Sequence, residues 1–226
     1  MAGPKQVRGG FDSHTLPPQK GKQVAHQTEQ ATAIQSGKPG KMESMPMEIL
    51  GMYIFILSEL ILFITLLVIL FWLRSGHAMD WPPPGQPRLP LGITGVNTLF
   101  LLFSGYSMFR AYRSVQQNAS AQLTRWLMIT CVMGVVFITV QGFEWIRLMR
   151  FGLSMNSSLY GAMFYSIIGL HALHVLITVV VLLYLWVRST YQIYTAESHT
   201  SIALGYMFWL FVVLIWPILY ILVYLV

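Results

Sequence analysis

Five long apolar runs limit what this chain of 226 residues can fold into. They lie at about 47–73, 91–109, 126–148, 158–187 and 202–226. A helix of about 20 residues crosses about 30 Å of hydrocarbon, and each run approaches or exceeds that length. Only 10% of the residues are charged and the mean hydropathy is +0.61, whereas a soluble domain carries about 25% charged residues. The sequence therefore predicts an all-α polytopic membrane protein whose transmembrane domain, residues 47–226, contains five helices.

The polar residues outside these runs predict how the chain is oriented. Residues 1–46 are rich in Gln, Gly, Lys and Pro, which is typical of a disordered tail. Of the 14 basic residues, ten fall on the side of the tail, and the other side has Arg74, Arg88, Arg147 and Arg150. The positive-inside rule then predicts a cytoplasmic N-terminus and a C-terminus outside. The net charge of +6 is interpreted as membrane topology and attraction to anionic lipid, not as nucleic-acid binding.

Three ionisable residues fall near the middle of two predicted spans. His171 and His174 are three residues apart on the fourth span and share a helix face. Glu59 is roughly halfway along the first span, and a charged residue at that depth costs about 2.5–3.5 kcal/mol. We therefore expect Glu59 to face His171 or His174 in an internal polar cluster, with a protonated, hydrogen-bonded carboxyl. Proton transfer and a contact to lipid or a partner remain alternatives for Glu59.

Two further groups of polar residues lie near the ends of the predicted spans. Near the outer end of the third span, Gln141 and Glu144 precede Arg147, which is one turn from Glu144 and can pair with it. An ion pair or an interface contact is expected there, rather than catalysis. The loop on the tail side of spans two and three carries basic residues that could hold lipid phosphates or serve topology alone. These residues are Arg110, Arg113 and Arg125.

Redox and hydrolytic chemistry are weaker alternatives. Two histidines on one helix face cannot bind opposite sides of one haem iron, and the others lie outside the spans: His14, His26, His77 and His199. A metal site of two histidines and Glu59 is chemically possible. Ser104 could serve an intramembrane serine protease, although a Ser-Gly pair is more often a helix-packing notch. The single cysteine, Cys131, excludes a disulfide or thiolate framework within the chain.

The order of several motifs resembles subunit III of haem-copper oxidases, the cytochrome c oxidase subunit 3 family. Residues 52–59 resemble the family's Trp-Leu-Phe-x-x-Ser-Glu motif, and residues 91–105 its next helix, with Asn-Thr and Ser-Gly in place. Residues 141–144 match its Gln-x-x-Glu element, and residues 160–175 its Phe-x-x-x-Gly-x-His-x-x-His-Val signature. The resemblance covers residues 47–226 and implies the short, five-helix bacterial type.

This resemblance implies a subunit with no cofactor of its own, in the bacterial cytoplasmic membrane. Haem and copper would lie in partner subunits of an aerobic respiratory chain. The subunit would stabilise oxidase subunit I, its main partner, beside subunit II and small subunits. It would also bind phospholipid and support proton uptake, within a supercomplex in some cases. A subunit III-like protein of a quinol oxidase or nitric oxide reductase is the alternative. The last span departs from the family pattern, because Leu210 and Val213 replace its histidine and acid.

Overall fold

The computed structural model describes residues 46–76 and 91–225, together with Gly3. These residues form five α-helices: α1 (Met47–Gly76), α2 (Leu91–Gln116), α3 (Ser120–Arg150), α4 (Leu159–Thr190) and α5 (Thr200–Leu219). A π-helix, Tyr220–Leu225, extends α5 beyond Pro217. All five helices are long and apolar enough to cross a membrane, and the described ranges contain no strand. The predicted all-α, five-span architecture is confirmed, while the predicted tail, 1–46, lies outside the described residues except for Gly3 and Pro46.

Helices α2, α3, α4 and α5 form a tightly packed bundle. Helix packing in a membrane depends on close contact, because lipid is as apolar as the helix surface. A Cβ atom at Gly134 of α3 would lie 2.8 Å from Cγ2 of Val179 on α4 and 3.0 Å from Trp209 on α5. Glycine at this position therefore allows three helices to meet. Trp209 and Trp216 are both fully buried at the centre of the bundle.

Short connections hold the ends of the bundle together. Asn118, in the turn between α2 and α3, has a φ of 54° and accepts a hydrogen bond of 2.7 Å from the backbone N–H of Ala196. That bond ties this turn to the connection between α4 and α5 on the same side. We call this the tail side, because α1 begins there. At the opposite end, the hydroxyl of Ser158 accepts a hydrogen bond of 3.0 Å from Gly161 N–H and caps α4.

Helix α1 is packed much less completely than the others. None of residues 47–62 is buried, whereas Phe63 and Leu70 are 1% and 6% exposed. Its contacts are with α4 and α5. The half of α1 nearest the tail therefore lies against the bundle without being enclosed by it.

A glutamate–histidine pair beside a membrane cavity

A hydrogen bond joins the middle of α1 to the middle of α4. The Nε2 atom of His174 lies 2.9 Å from Oε2 of Glu59. The Nδ1 atom of the same ring lies 2.7 Å from the carbonyl oxygen of Leu170, one turn earlier on α4. The side chains of His174 and Glu59 are 11% and 16% exposed. Both ring nitrogens of His174 therefore have a partner in a largely buried setting.

The contacts of His174 limit where the protons of the pair can lie. A carbonyl oxygen only accepts hydrogen bonds, so Nδ1 must carry a proton that it donates to Leu170. With a neutral ring, Nε2 is then an acceptor, and the proton in the bond belongs to Glu59. With a charged ring, Nε2 donates to a carboxylate. In both arrangements one proton lies between Nε2 and Oε2, and the pair as a whole is neutral.

His171 lies apart from this pair, in an aromatic cage. Its ring stacks on Trp216 at a centroid distance of 4.8 Å and meets Phe137 edge-on at 6.4 Å. It is 1% exposed, and neither ring nitrogen has a hydrogen-bond partner among the protein atoms. Of the three residues expected in one cluster, the structure brings Glu59 to His174 and leaves His171 outside the bond.

Phe63 contacts both histidines, and it was not among the residues expected at this site. Its ring lies 5.5 Å from that of His174 and 6.4 Å from that of His171. Glu59 and Phe63 are one turn apart on α1, so they share a helix face. The carboxyl and the aromatic ring therefore enter the bundle side by side.

The Glu59–His174 pair forms part of the wall of an apolar cavity of about 510 Å³ between α1, α4 and α5. Leu173, Ile177 and Phe208 are among its other lining residues. A smaller cavity of about 240 Å³ lies next to it toward the tail side. Both cavities are lined by Tyr184 and Ser201, so they adjoin.

The smaller cavity has a polar wall that includes a positively charged arginine side chain. Arg188 lines it and donates a hydrogen bond of 2.9 Å to the hydroxyl of Tyr184. Tyr194, Ser198 and Thr200 supply further hydroxyl groups. In the sequence, Arg188 contributes only to the number of basic residues that predicts the membrane orientation. Nothing in the local sequence distinguishes it from any other basic residue at a helix end.

The polar residues near the end of α3 that lies opposite the tail side are partly paired. Nε2 of Gln141 donates a hydrogen bond of 3.1 Å to the hydroxyl of Tyr224. Glu144 is buried, and its Oε1 lies 4.0 Å from Nη1 of Arg147, which is 58% exposed. Oε2 of Glu144 has no hydrogen-bond partner among the protein atoms. The predicted ion pair is therefore long and reaches only one carboxyl oxygen.

The three basic residues predicted as lipid contacts lie exposed near the tail side. The Arg110 guanidinium stacks on Trp126 at 5.0 Å and donates to the hydroxyl of Tyr106 at 3.1 Å. That of Arg113 lies 6.0 Å from the ring of Phe109. Arg125 is exposed at the start of α3. All three are exposed, and two are oriented by aromatic rings.

The geometry gives no support to the metal and protease alternatives. The described residues contain no group of three or more His, Cys, Asp or Glu side chains that could hold a metal ion. His14, His26 and His77 lie outside the described residues. The hydroxyl of Ser104 is fully buried and donates to the carbonyl of Leu101 in its own helix. Among the described residues, this hydroxyl makes no hydrogen bond to a histidine.

These features define a polytopic helical membrane protein with an internal glutamate–histidine pair that faces an apolar cavity. A family model described as cytochrome c oxidase subunit III matches residues 35–226, and the chain belongs to that family. It is 34% identical over 176 residues to cytochrome c oxidase subunit 3 of Synechocystis sp., covering 77% of this chain and 74% of that protein. It is 31% identical over 177 residues to the subunit of the same name from Thermostichus vulcanus, covering 78% and 86%. The subunit from Drosophila melanogaster is 31% identical over 179 residues, covering 77% and 67%.

Membership of this family confirms the resemblance found in the motifs. The chain is subunit III of a haem-copper oxidase and so belongs to a multisubunit respiratory complex in a membrane. The comparisons favour a cytochrome c oxidase over a quinol oxidase or nitric oxide reductase. The family also gives no reason to expect a redox cofactor within this chain.

Proposed function

We propose that this subunit stabilises catalytic subunit I of a proton-pumping oxidase, holds phospholipid on its surface and supports proton uptake. One observation carries the proposal. The apolar cavity, whose wall includes the neutral Glu59–His174 pair, adjoins the polar cavity, whose wall includes Arg188. An apolar space next to a fixed cation fits an amphiphile with an anionic headgroup. Haem and copper belong to partner subunits in this account.

The larger cavity has the size and surface expected for acyl chains. Binding pockets for small molecules commonly enclose about 300–1,000 Å³ and have mostly apolar walls. The cavity of about 510 Å³ falls in this range, and Leu173, Ile177 and Val181 contribute to its wall. Glu59 and His174 can face such a chain because their polar atoms are hydrogen-bonded to each other.

The smaller cavity has the donors expected for a phosphate group. Arg188 uses one N–H for Tyr184 and retains others, and a guanidinium suits bidentate binding of phosphate. Burial raises the pKa of the Tyr194 phenol above its ordinary value, although Arg188 opposes this effect. Tyr194 therefore stays a neutral O–H donor. Thr200 and Ser201 begin α5, where backbone N–H groups are free of helical partners.

The positions along α4 agree with a lipid that reaches from a headgroup layer toward the middle of the bilayer. Arg188 lies about 21 Å further along the helix than His174 at about 1.5 Å per residue. Half of the hydrocarbon thickness is about 15 Å. With Arg188 in the headgroup region, the Glu59–His174 pair lies near the bilayer centre.

We propose that the tail side faces the cytoplasm of a bacterial cell and that the C-terminus lies outside. Helices α2 and α4 end on the tail side, and their last turns contain Arg113 and Arg188. Helices α1 and α3 end on the other side, and their last turns contain Arg74, Arg147 and Arg150. The excess of basic residues on the tail side comes from Arg110, Arg125 and the six basic residues that precede α1 in the sequence. The positive-inside rule supports this orientation. In it, Arg110, Arg113 and Arg125 contact anionic lipid of the cytoplasmic leaflet.

The proposed partners are oxidase subunits I and II with small subunits, in some cells within a supercomplex. Purification through an affinity tag on this chain, from native membranes in a mild detergent, tests this. We expect haem- and copper-containing chains to co-purify, with an oxidase optical spectrum and oxygen consumption on addition of reduced cytochrome c. Recovery of this chain alone at full yield would contradict the proposal.

A further inference from the structure

We propose that the half of α1 nearest the tail, Met47–Leu62, is a movable arm and that the Glu59–His174 hydrogen bond is its proton-dependent latch. While the shared proton is present, the arm lies against α4 and α5. Loss of that proton releases the arm and joins the apolar spaces on its two sides.

The burial of α1 changes abruptly along its length. No residue from 47 to 62 is buried, but Phe63 is 1% exposed and Leu70 is 6% exposed. Phe63 packs among His171, His174 and Phe211. The half of α1 beyond Leu62 is therefore anchored by buried apolar side chains, and the arm has none.

Two hydroxyl groups lie at the boundary between the arm and the fixed half. Ser58 donates a hydrogen bond of 2.7 Å to the carbonyl of Phe55, and Thr65 one of 2.8 Å to that of Ile61. Such bonds from a side chain to its own helix compete with the backbone bonds and often bend helices. A bend between Ser58 and Thr65 would let the arm move while Phe63 and Leu70 stay in place.

Open space lies on both sides of the arm. Met52, Phe55 and Glu59 line the cavity of about 510 Å³ on one side. Tyr53, Ile56 and Leu60 line a second apolar cavity of about 430 Å³ on the other side, against α5. Between the two, the ring of Phe55 contacts that of Phe208 at 5.3 Å. Movement of the arm away from Phe208 would merge the two spaces.

The chemistry of the pair makes the latch sensitive to one proton. Because Nδ1 of His174 donates to Leu170, loss of the shared proton leaves Nε2 and the Glu59 carboxylate as two facing acceptors. Two acceptors at 2.9 Å repel each other, so deprotonation replaces an attractive contact with a repulsive one. This repulsion favours movement of the arm away from α4.

Few other titratable groups face the pair among the described residues. On α4, His171 contacts the same Phe63 ring, and Tyr184 lines the same cavity. Across the arm, Tyr53 and Tyr206 line the second cavity. The described residues of α5 that line either cavity include no acid, lysine, arginine or histidine. Glu59 with His174 is therefore the pair whose ionisation acts directly on the arm.

Distance measurements between spin labels test the latch in the full chain reconstituted in phospholipid nanodiscs. The single native cysteine, Cys131, is 3% exposed and is replaced by alanine. Labels at Leu50 in the arm and Val180 on α4 report opening, because both positions are exposed. Labels at Val68 and Val180 report on the fixed half of α1. A bend of about 15° moves Leu50 by about 5 Å, because it lies about 20 Å from Phe63.

We expect the distance between labels 50 and 180 to lengthen by about 5 Å when the pH is raised far enough to remove the shared proton. The distance between labels 68 and 180 should not change. Glu59→Gln supplies an N–H donor that cannot be lost, so it should stay closed before and after the pH is raised. Glu59→Leu removes the latch and should be open in both conditions.

Glu48→Gln is the matched control, because Glu48 is an exposed acid on the same arm. It should keep the response of the parent chain. The proposal is overturned if the distance between labels 50 and 180 is independent of pH in the parent chain. It is equally overturned if Glu59→Gln opens like the parent, or if both label pairs lengthen together. Loss of the response in Glu48→Gln would assign the titration to another group and overturn it as well.

Discussion

Glu59 of α1 and His174 of α4 are joined by a hydrogen bond of 2.9 Å between Oε2 and Nε2, far apart in sequence and close to the middle of both helices. The second nitrogen of the ring donates to Leu170, and this fixes the direction of the bond. An acid and a histidine are thus held inside an apolar bundle as a neutral unit.

Loss of the Glu59 side chain should destabilise the chain more than loss of its charge. Glu59→Gln keeps a donor for Nε2 of His174, and we expect unchanged unfolding and unchanged assembly. Glu59→Ala leaves Nε2 without a partner, and we expect a cost of about 1–2 kcal/mol. Unfolding in increasing SDS, followed by circular dichroism, measures both. Equal stability of Glu59→Ala and the parent would show that the bond contributes nothing.

Replacement by phenylalanine should destabilise the chain at His174 and have little effect at His171. His174→Phe removes both hydrogen bonds of the ring and leaves the Glu59 carboxyl unpaired, so we expect a loss of about 1–3 kcal/mol. His171→Phe keeps an aromatic ring against Trp216 and removes two buried nitrogens that have no protein partner. The same SDS titration should find His171→Phe within about 1 kcal/mol of the parent. A larger loss there would mean that an internal water or a partner satisfies the ring.

Arg188 should determine the retention of anionic lipid. Its removal deletes a charge-assisted contact worth about 1.5–3 kcal/mol, so Arg188→Ala should weaken binding of phosphatidylglycerol at least about tenfold. Arg188→Lys keeps the charge without the planar fork and should be intermediate. Native mass spectrometry of the purified complex measures the bound lipid. Arg150→Ala is the control, since Arg150 is an exposed cation at the opposite end of the bundle and lines neither cavity. A similar loss in both variants would indicate a general surface-charge effect.

Gly161 should tolerate no side chain at the start of α4. A Cβ atom there would overlap the backbone oxygen of Ser154, and the hydroxyl of Ser157 would lie 2.8 Å away. Gly161→Ala should therefore cost about 1–3 kcal/mol. Gly142→Ala, inside α3, meets nothing within 4 Å and should be neutral or stabilising by up to about 1 kcal/mol. Thermal unfolding of the two variants compares them directly, and equal midpoints would contradict the packing at Ser154.

The sequence predicted the number of helices and the depth of the internal polar residues. Both follow from length and from a fixed rise per residue, so Glu59 and the two histidines could be assigned similar depths without coordinates. Sequence could not decide between His171 and His174. They lie on one face, and a modest rotation of α4, set by Phe63, Phe137 and Trp216, determines which ring reaches α1.

Two other features could not be predicted, for a different reason. The exposure of α1 left no signal, because a helix that faces lipid and one that faces protein are equally apolar in sequence. Arg188 is a candidate lipid ligand because it lines a cavity together with Tyr184 and Ser201, which lie on different helices. The sequence does not show that these residues lie side by side. Cavities form from the packing of separate helices, and the local pattern of any one helix does not contain them.

The hydrogen-bond direction of His174 is the central claim, and solid-state NMR of the chain in lipid bilayers with ¹⁵N-labelled histidine tests it most directly. The His174 signals are assigned by their loss in His174→Gln. At neutral pH we predict a protonated Nδ1 and an Nε2 that is hydrogen-bonded to Glu59, with the Nε2 signal changed by Glu59→Ala. An unprotonated Nδ1, or an Nε2 signal that is indifferent to Glu59→Ala, would contradict the account.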